Sequence, residues 1–188
     1  MNHVEEVTGK ALRNRLIHGR VVNSIVDMFR KRLSIPHIFL KPRVPGATAI
    51  DVLAVDRAGS GDVHGVQVDI LGILPTESMM RSKLIPLKEL AVVKKLPVNF
   101  KYLAVQANEE SLRTLQQLRQ YESLFDPSGI GRVGILAYDE RLLQADSEID
   151  SALVTVVVPP ERFRIRGEKL DSIERFLSKA KPDVAVRI

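Results

Sequence analysis

The sequence predicts a mixed α/β fold, a central β-sheet flanked by helices, on three observations. Short apolar runs recur along the chain and are bounded by Gly, Pro and Asp, as strands are. The first three runs are joined by "PRVPG" and "RAGSGD", which are turns, so they form a meander. Around and between the runs lie stretches whose apolar residues recur at helical spacing.

Residues 4–33 predict one long helix, bent at Gly19: Val4, Val7, Ala11, Val22, Ile25, Val26, Phe29 and Leu33 share one sector. Arg13, Arg20 and Lys31 project on nearly the opposite side, where such a stripe can lie along a phosphate backbone or simply be solvated. Ser34 and Pro36 end the helix. "HIFLK", "TAIDVLAVD" and "VHGVQVDILGIL" are the meander strands, the second apolar enough to be buried on both faces. A loop over 72–82 follows, then a helix at about 86–95 and the strand "NFKYLAVQA". Asn108 caps a helix over 108–124, after which "RVGILAYDE" and "ALVTVVVPP" are strands, the latter buried. "RFRIRGEK" aligns Arg162, Arg164 and Arg166 on an edge strand, and a last amphipathic helix covers about 168–180. The chain of 188 residues forms one domain, 1–188, with the last strand and helix as a C-terminal extension.

The absence of cysteine excludes disulfides, zinc-thiolate sites and Cys nucleophiles, and suits a reducing cytoplasm. "MNHVEEVTGK" carries no apolar core of a signal peptide, and no run approaches the ~18 apolar residues that span a bilayer. A cytoplasmic protein without a membrane partner is expected. The net charge of +5 is divided as +6 over residues 1–43, −4 over 44–158 and +3 over 159–188. Basic ends around an acidic middle suit a polyanion-facing surface beside a carboxylate-bearing centre.

That centre is the hairpin "ATAIDVLAVDRAGSGDVHGVQVDI". Asp51 lies on its first strand, and alternation puts Gln67 and Asp69 on one face of its second. Carboxylates at a strand end must be solvated, hydrogen-bonded or coordinated. Asp51 and Asp69 suit a hard cation such as Mg²⁺ or Mn²⁺, with the Val68 carbonyl as a further oxygen ligand. The plainer reading makes them ordinary residues of a half-solvated sheet, with Asp56 and Asp62 serving the turn.

The order helix, strand, "AIDVLAVD", Gly-rich turn, "GVQVDI", helix, "KYLAVQ", helix, "VGILAYDE" resembles the restriction-endonuclease-like PD-(D/E)xK superfamily over roughly residues 5–140. Asp51 matches the family's Asp on the second core strand, and Gln67-Val68-Asp69 stands at the (D/E)xK tripeptide. Gln67 replaces the acid, as in the QxK variant of the methyl-directed restriction branch, and Asp69 replaces the lysine. The resemblance implies a restriction-endonuclease-like core and catalytic positions at Asp51, Gln67 and Asp69. It also implies Mg²⁺ or Mn²⁺ on Asp51 and Asp69, nucleic acid as partner, DNA ahead of RNA, and room for a homodimer. A lysine from elsewhere, Lys83, Lys88 or Lys101, and an acid from the first helix, Glu5 or Glu6, are candidates to complete the site. Two functions follow: a nucleic-acid-binding protein of nuclease-like fold, with metal-dependent phosphodiester hydrolysis if the altered site is active, or a non-catalytic interaction or assembly module retaining that fold. Arg13, Arg20 and Lys31 are the expected backbone contacts.

Other motifs carry little. "TGKA" lacks the upstream Gly and the Ser or Thr of a phosphate loop, "GSGDVHG" is a β-turn, no nucleophile elbow is present, and His3, His18, His37 and His64 lack metal-ligand spacing. His64 is the histidine nearest the hairpin site.

Overall fold

The computed structural model describes residues 3–47, 49–82, 89–108, 110–111, 132–139 and 153–183, the side chains of residues 3–8, 77 and 80 apart. Helix α1 (His3–Asp27) runs on into a π-helical turn, Met28–Arg32, in which the Leu33 amide reaches back to the Met28 carbonyl. Gly19 lies within continuous α-helix, so the irregularity falls at Met28–Arg32 and not at the predicted position. The wider turn lets Met28 and Phe29, adjacent in sequence, both become buried. Ser34, in the left-handed region at φ 55°, ends the helical run.

Strands β1 (His37–Leu40), β2 (Val52–Val55), β3 (Val63–Ile73), β4 (Phe100–Gln106), β5 (Gly134–Tyr138) and β6 (Val154–Val158) form one six-stranded mixed open sheet in chain order. The meander β1-β2-β3 is antiparallel, β4 and β5 follow parallel to β3, and β6 returns antiparallel to β5. Strand alternation divides the core in two. Val52, Ala54, Val66, Val68, Tyr102 and Leu136 pack with Val22 and Ile25 of α1 and with Phe29 of the π-helical turn. Leu53, Val55, Leu103, Val105 and Ile135 face the other layer, with Val93, Leu96 and Ile173. This layer holds α3 (Leu90–Val93) and α4 (Glu168–Lys179); α2 (Glu77–Arg81) follows β3.

Several expectations are corrected. Of the predicted stripe, Val22, Ile25, Val26 and Phe29 are buried, Ala11 and Leu33 are exposed, and the side chains of Val4 and Val7 lie outside the described ones. A helical turn, α2, stands in the predicted loop, and β2 begins one residue after Asp51. Among the described residues β6 is an edge strand, with Val154, Val157 and Val158 buried as expected and Thr155 and Val156 exposed. Residues 159–166 form no strand; they cross beside β4, where the Phe163 amide donates to the Asn99 carbonyl. Of the helix predicted at 86–95, residues 89–95 are described and contain only the single turn α3. The helix predicted over 108–124 lies outside the described residues apart from its start, where Asn108 Oδ1 accepts from the Ser111 amide as a cap.

β5 crosses β4 closely at Gly134, where a Cβ would stand 2.8 Å from Tyr102 Cδ1 and 3.0 Å from Pro160 Cδ. Gly134→Ala is therefore expected to cost about 1–3 kcal/mol by overpacking, read as a fall in the urea midpoint at unchanged m-value. A variant as stable as the wild type would show that β5 and the segment after β6 can move apart.

Candidate functional site

Asp51 occupies the last position before β2, where the ladder with β3 has one more amide to satisfy. Its backbone amide donates to the Val66 carbonyl at 2.9 Å, and its Oδ2 accepts from the Val68 amide at 2.8 Å. The carboxylate thus extends the β2–β3 ladder beyond the end of β2. Oδ1 lies 2.9 Å from His18 Nε2 on α1, with the two side chains only 15% and 21% exposed. In this pair the His18 Nε2–H donates and the carboxylate oxygen accepts. His18 sits four residues before Val22 on the stripe that packs against the sheet, and this places it over the hairpin.

Gln67 and Asp69 turn away from this pair. Gln67 Nε2 donates to Glu89 Oε2 at 3.0 Å just before α3, while its buried Oε1 has no partner among the described residues. Asp69 Oδ1 accepts from the amides of Leu71 and Gly72 at 3.0 and 2.9 Å. There the β3–β4 register jumps, from Asp69 opposite Val105 to Ile73 opposite Gln106. Asp69 is the organiser of that bulge, and Gly72 is required because a Cβ would meet the Asp69 carboxylate at 2.6 Å and Val105 at 3.0 Å.

Asp51 therefore faces α1, whereas Asp69 lies beside Val105 in the opposite layer. Among the described residues no group of three His, Cys, Asp or Glu side chains is placed to hold a metal ion. With both Asp51 oxygens engaged and Asp69 folded into its own turn, these side chains do not fit Mg²⁺ or Mn²⁺ in this arrangement. Lys83, Lys88 and the side chains of Glu5 and Glu6 lie outside the described residues. Lys101 faces the Gln67 layer, but its ammonium donates to the Lys94 carbonyl.

What stands beside Asp51 and His18 is a cavity of about 670 Å³ between α1, the end of β1 and β3. Among the described residues Asn14, Arg15, His18, Asn23 and Lys41 supply its polar lining. Lys41 is held at φ 46°, its amide donating to the Asp51 carbonyl, so one residue fixes both the cavity rim and the hairpin. Of the predicted backbone contacts, Lys31 pairs with Asp27 at 2.9 Å, Arg13 is exposed and Arg20 is half-buried. None of the three lines the cavity. Arg15 and His18 were missed as site residues because neither belongs to a motif; the signal for His18 was a polar residue on the apolar stripe of α1.

The turn residues are partly as expected. Asp56 accepts from the amides of Gly59 and Ser60, and the Ser60 amide above all holds its carboxyl below the usual value. Asp62 instead pairs with Arg162 at 2.8 Å, tying the hairpin to the segment after β6.

His64 belongs to the core and not to the cavity. It stacks on Phe100 at 4.7 Å between ring centroids, meets Phe29 edge-on, and bonds the Tyr102 hydroxyl through Nδ1 at 3.3 Å. Burial lowers its pKa from 6.5 to about 4, against the weaker pull of Asp62 and Asp56, and burial raises that of Tyr102. Between these two pH values the unfolded chain takes up a proton that the folded chain refuses. The stabilisation is complete above pH 6.5 and is lost as pH falls toward about 4. This loss is expected to be on the order of 2–3 kcal/mol, and His64→Gln should lack that leg in urea titrations across this window. A variant with the wild-type pH slope would refute it.

Among the described residues no helix is long and apolar enough to cross a membrane. Comparison with known proteins gives no match to a family model, to a curated protein or to a solved structure.

Proposed function

We propose that the chain is a nucleic-acid-binding protein on a restriction-endonuclease-like core, in which the positions of the metal motif serve to hold the hairpin. The element order supports the core: a helix across the sheet, an antiparallel meander, then a strand parallel to β3. The observation that carries the binding is the cavity at the hairpin, to which the described residues contribute Arg15, Lys41, His18 and two asparagines. Two cations beside polar donors are groups that take phosphodiester oxygens, and they contact the backbone without reading sequence. Duplex DNA is the first substrate to test, ahead of RNA.

The test is fluorescence anisotropy on a random-sequence DNA duplex over a salt series, for the wild type and an Arg15→Glu, Lys41→Glu variant. Wild-type affinity is expected to fall steeply with salt, and the variant should bind weakly on all sequences, with the log–log salt slope smaller by about 2. No measurable affinity at low salt would sink the reading and favour a module that binds protein alone. Titration with Mg²⁺ and Mn²⁺ tests the metal separately: no saturable heat that depends on Asp51 and Asp69 is expected. Such heat, with cleavage lost in Asp51→Ala, would instead assign metal-assisted hydrolysis to the hairpin.

A further inference from the structure

On the opposite face of the sheet from α1, the end of α3, β4 and residues 163–169 enclose a second cleft, of about 220 Å³. Its floor is apolar, made by Leu96, Val98 and Phe163. Its charged lining among the described residues consists of Lys94, Lys101, Arg164 and Lys169. Lys101 is only 5% exposed. Its ammonium donates to the Lys94 carbonyl and sits 4.1 Å from the centroid of the Phe163 ring. Among the described residues it pairs with no acid. A buried ammonium beside Arg164 and Lys169 is costly unless an opposite charge joins it.

We propose that this cleft binds a phosphate-sized oxyanion, held by Lys101 from below and by Arg164 and Lys169 at the rim. The volume is below the ~300–1,000 Å³ of sites for whole organic ligands, so the cleft suits a phosphoryl group whose remainder stays outside. An ammonium point charge and a guanidinium fork are the two ordinary partners of phosphate oxygens. Phe163 closes the floor against water and leaves the Lys101 charge poorly screened, which strengthens its pull on an entering anion. The inference stands apart from the α1 cavity, because the two clefts share no residue.

The experiment is thermal unfolding and calorimetric titration with inorganic phosphate, against sodium chloride of matched ionic strength. It compares the wild type, an Arg164→Ala, Lys169→Ala variant and Lys101→Met. Both rim residues are exposed, so the double variant is expected to fold normally. Phosphate should raise the wild-type Tm saturably, bind at least tenfold more weakly to the rim variant, and give no saturable shift with Lys101→Met. A wild-type response no larger than that of chloride, or equal phosphate affinity in all three proteins, would overturn the proposal. Competition then identifies the carrier of the phosphoryl group. Displacement of phosphate by a 5′-phosphorylated oligonucleotide, and not by its 5′-hydroxyl counterpart, assigns it to a nucleic-acid end. Displacement by neither assigns it to a small phosphorylated molecule. The Arg15→Glu, Lys41→Glu variant should bind phosphate as the wild type does, so failure at one cleft is distinguishable from failure at the other.

Discussion

Asp51→Ala is expected to lower the unfolding free energy by about 3–4 kcal/mol, because it removes a charged acceptor serving two donors. The Val68 amide, 2.8 Å from Oδ2, belongs to a buried residue beyond the end of β2 and has no strand carbonyl to replace the carboxylate. His18 loses the group that orients its ring on α1. Asp51→Asn separates the two contributions. Its amide oxygen can still accept from the Val68 amide, and its NH₂ can face His18 Nε2 once the ring changes tautomer. About half the loss should therefore be restored, at neutral pH, in urea unfolding. Asp51→Ala within 1 kcal/mol of wild type would mean that water replaces the carboxylate. The binding readout follows the same geometry: Asp51→Ala frees His18 within the cavity and should weaken DNA while leaving the salt slope intact, since no cation is lost.

This arrangement explains why the layout of the sheet was legible and the state of the motif was not. Period-two runs such as "VHGVQVDILGIL" and "NFKYLAVQ" declare strands because their alternation matches the pleat, and these two became the adjacent parallel pair β3 and β4. Asp51, Gln67 and Asp69 were singled out by order and spacing alone. Spacing says which backbone positions come close, and Asp51 does lie at the end of the strand paired with β3. It does not say which way a side chain turns once a nearby amide competes for its oxygens. For Asp69 the competing donors were its own Leu71 and Gly72, and the sign of that competition was "DILG", a Gly three residues after an Asp inside a strand.

Other misses have similar local causes. "ALVTVVVPP" is apolar enough for a buried strand, yet burial depends on what lies next to it in the sheet, and β6 has a neighbour on one side only. "RFRIRGEK" alternates as an edge strand does, but Arg162 is drawn to Asp62 and Phe163 into the core, so the side chains on both sides of the segment are committed. Arg162 and Asp62 are a hundred positions apart and Asn99 and Phe163 sixty-four, separations that no short window along the chain contains.

Lys101→Met is expected to make the protein more stable at pH 7, by about 2 kcal/mol, a sign opposite to that of most core substitutions. Burial, with the charges of Lys169 and Lys94 added, lowers the Lys101 pKa from 10.5 to about 8. Below pH 8 the lysine is protonated in the folded and unfolded chains alike, and the folded state bears the whole cost of its buried charge. As pH rises from about 8 to 10.5 the folded protein gives up its proton while the unfolded chain keeps it, so stability increases through that window. The rise corresponds to about 3 kcal/mol, of which the methionine recovers less at pH 7 because the Lys94 carbonyl loses its donor. The difference in stability between wild type and Lys101→Met, followed by urea unfolding from pH 7 to 10.5, should therefore shrink and change sign. An unchanging difference would show that the ammonium reaches water. Lys101 is the buried cation that an oxyanion would neutralise, so saturating phosphate at pH 7 should also erase most of the advantage of Lys101→Met. Stability held in reserve for a ligand, and not optimal packing, would then be the reason a lysine occupies that strand position.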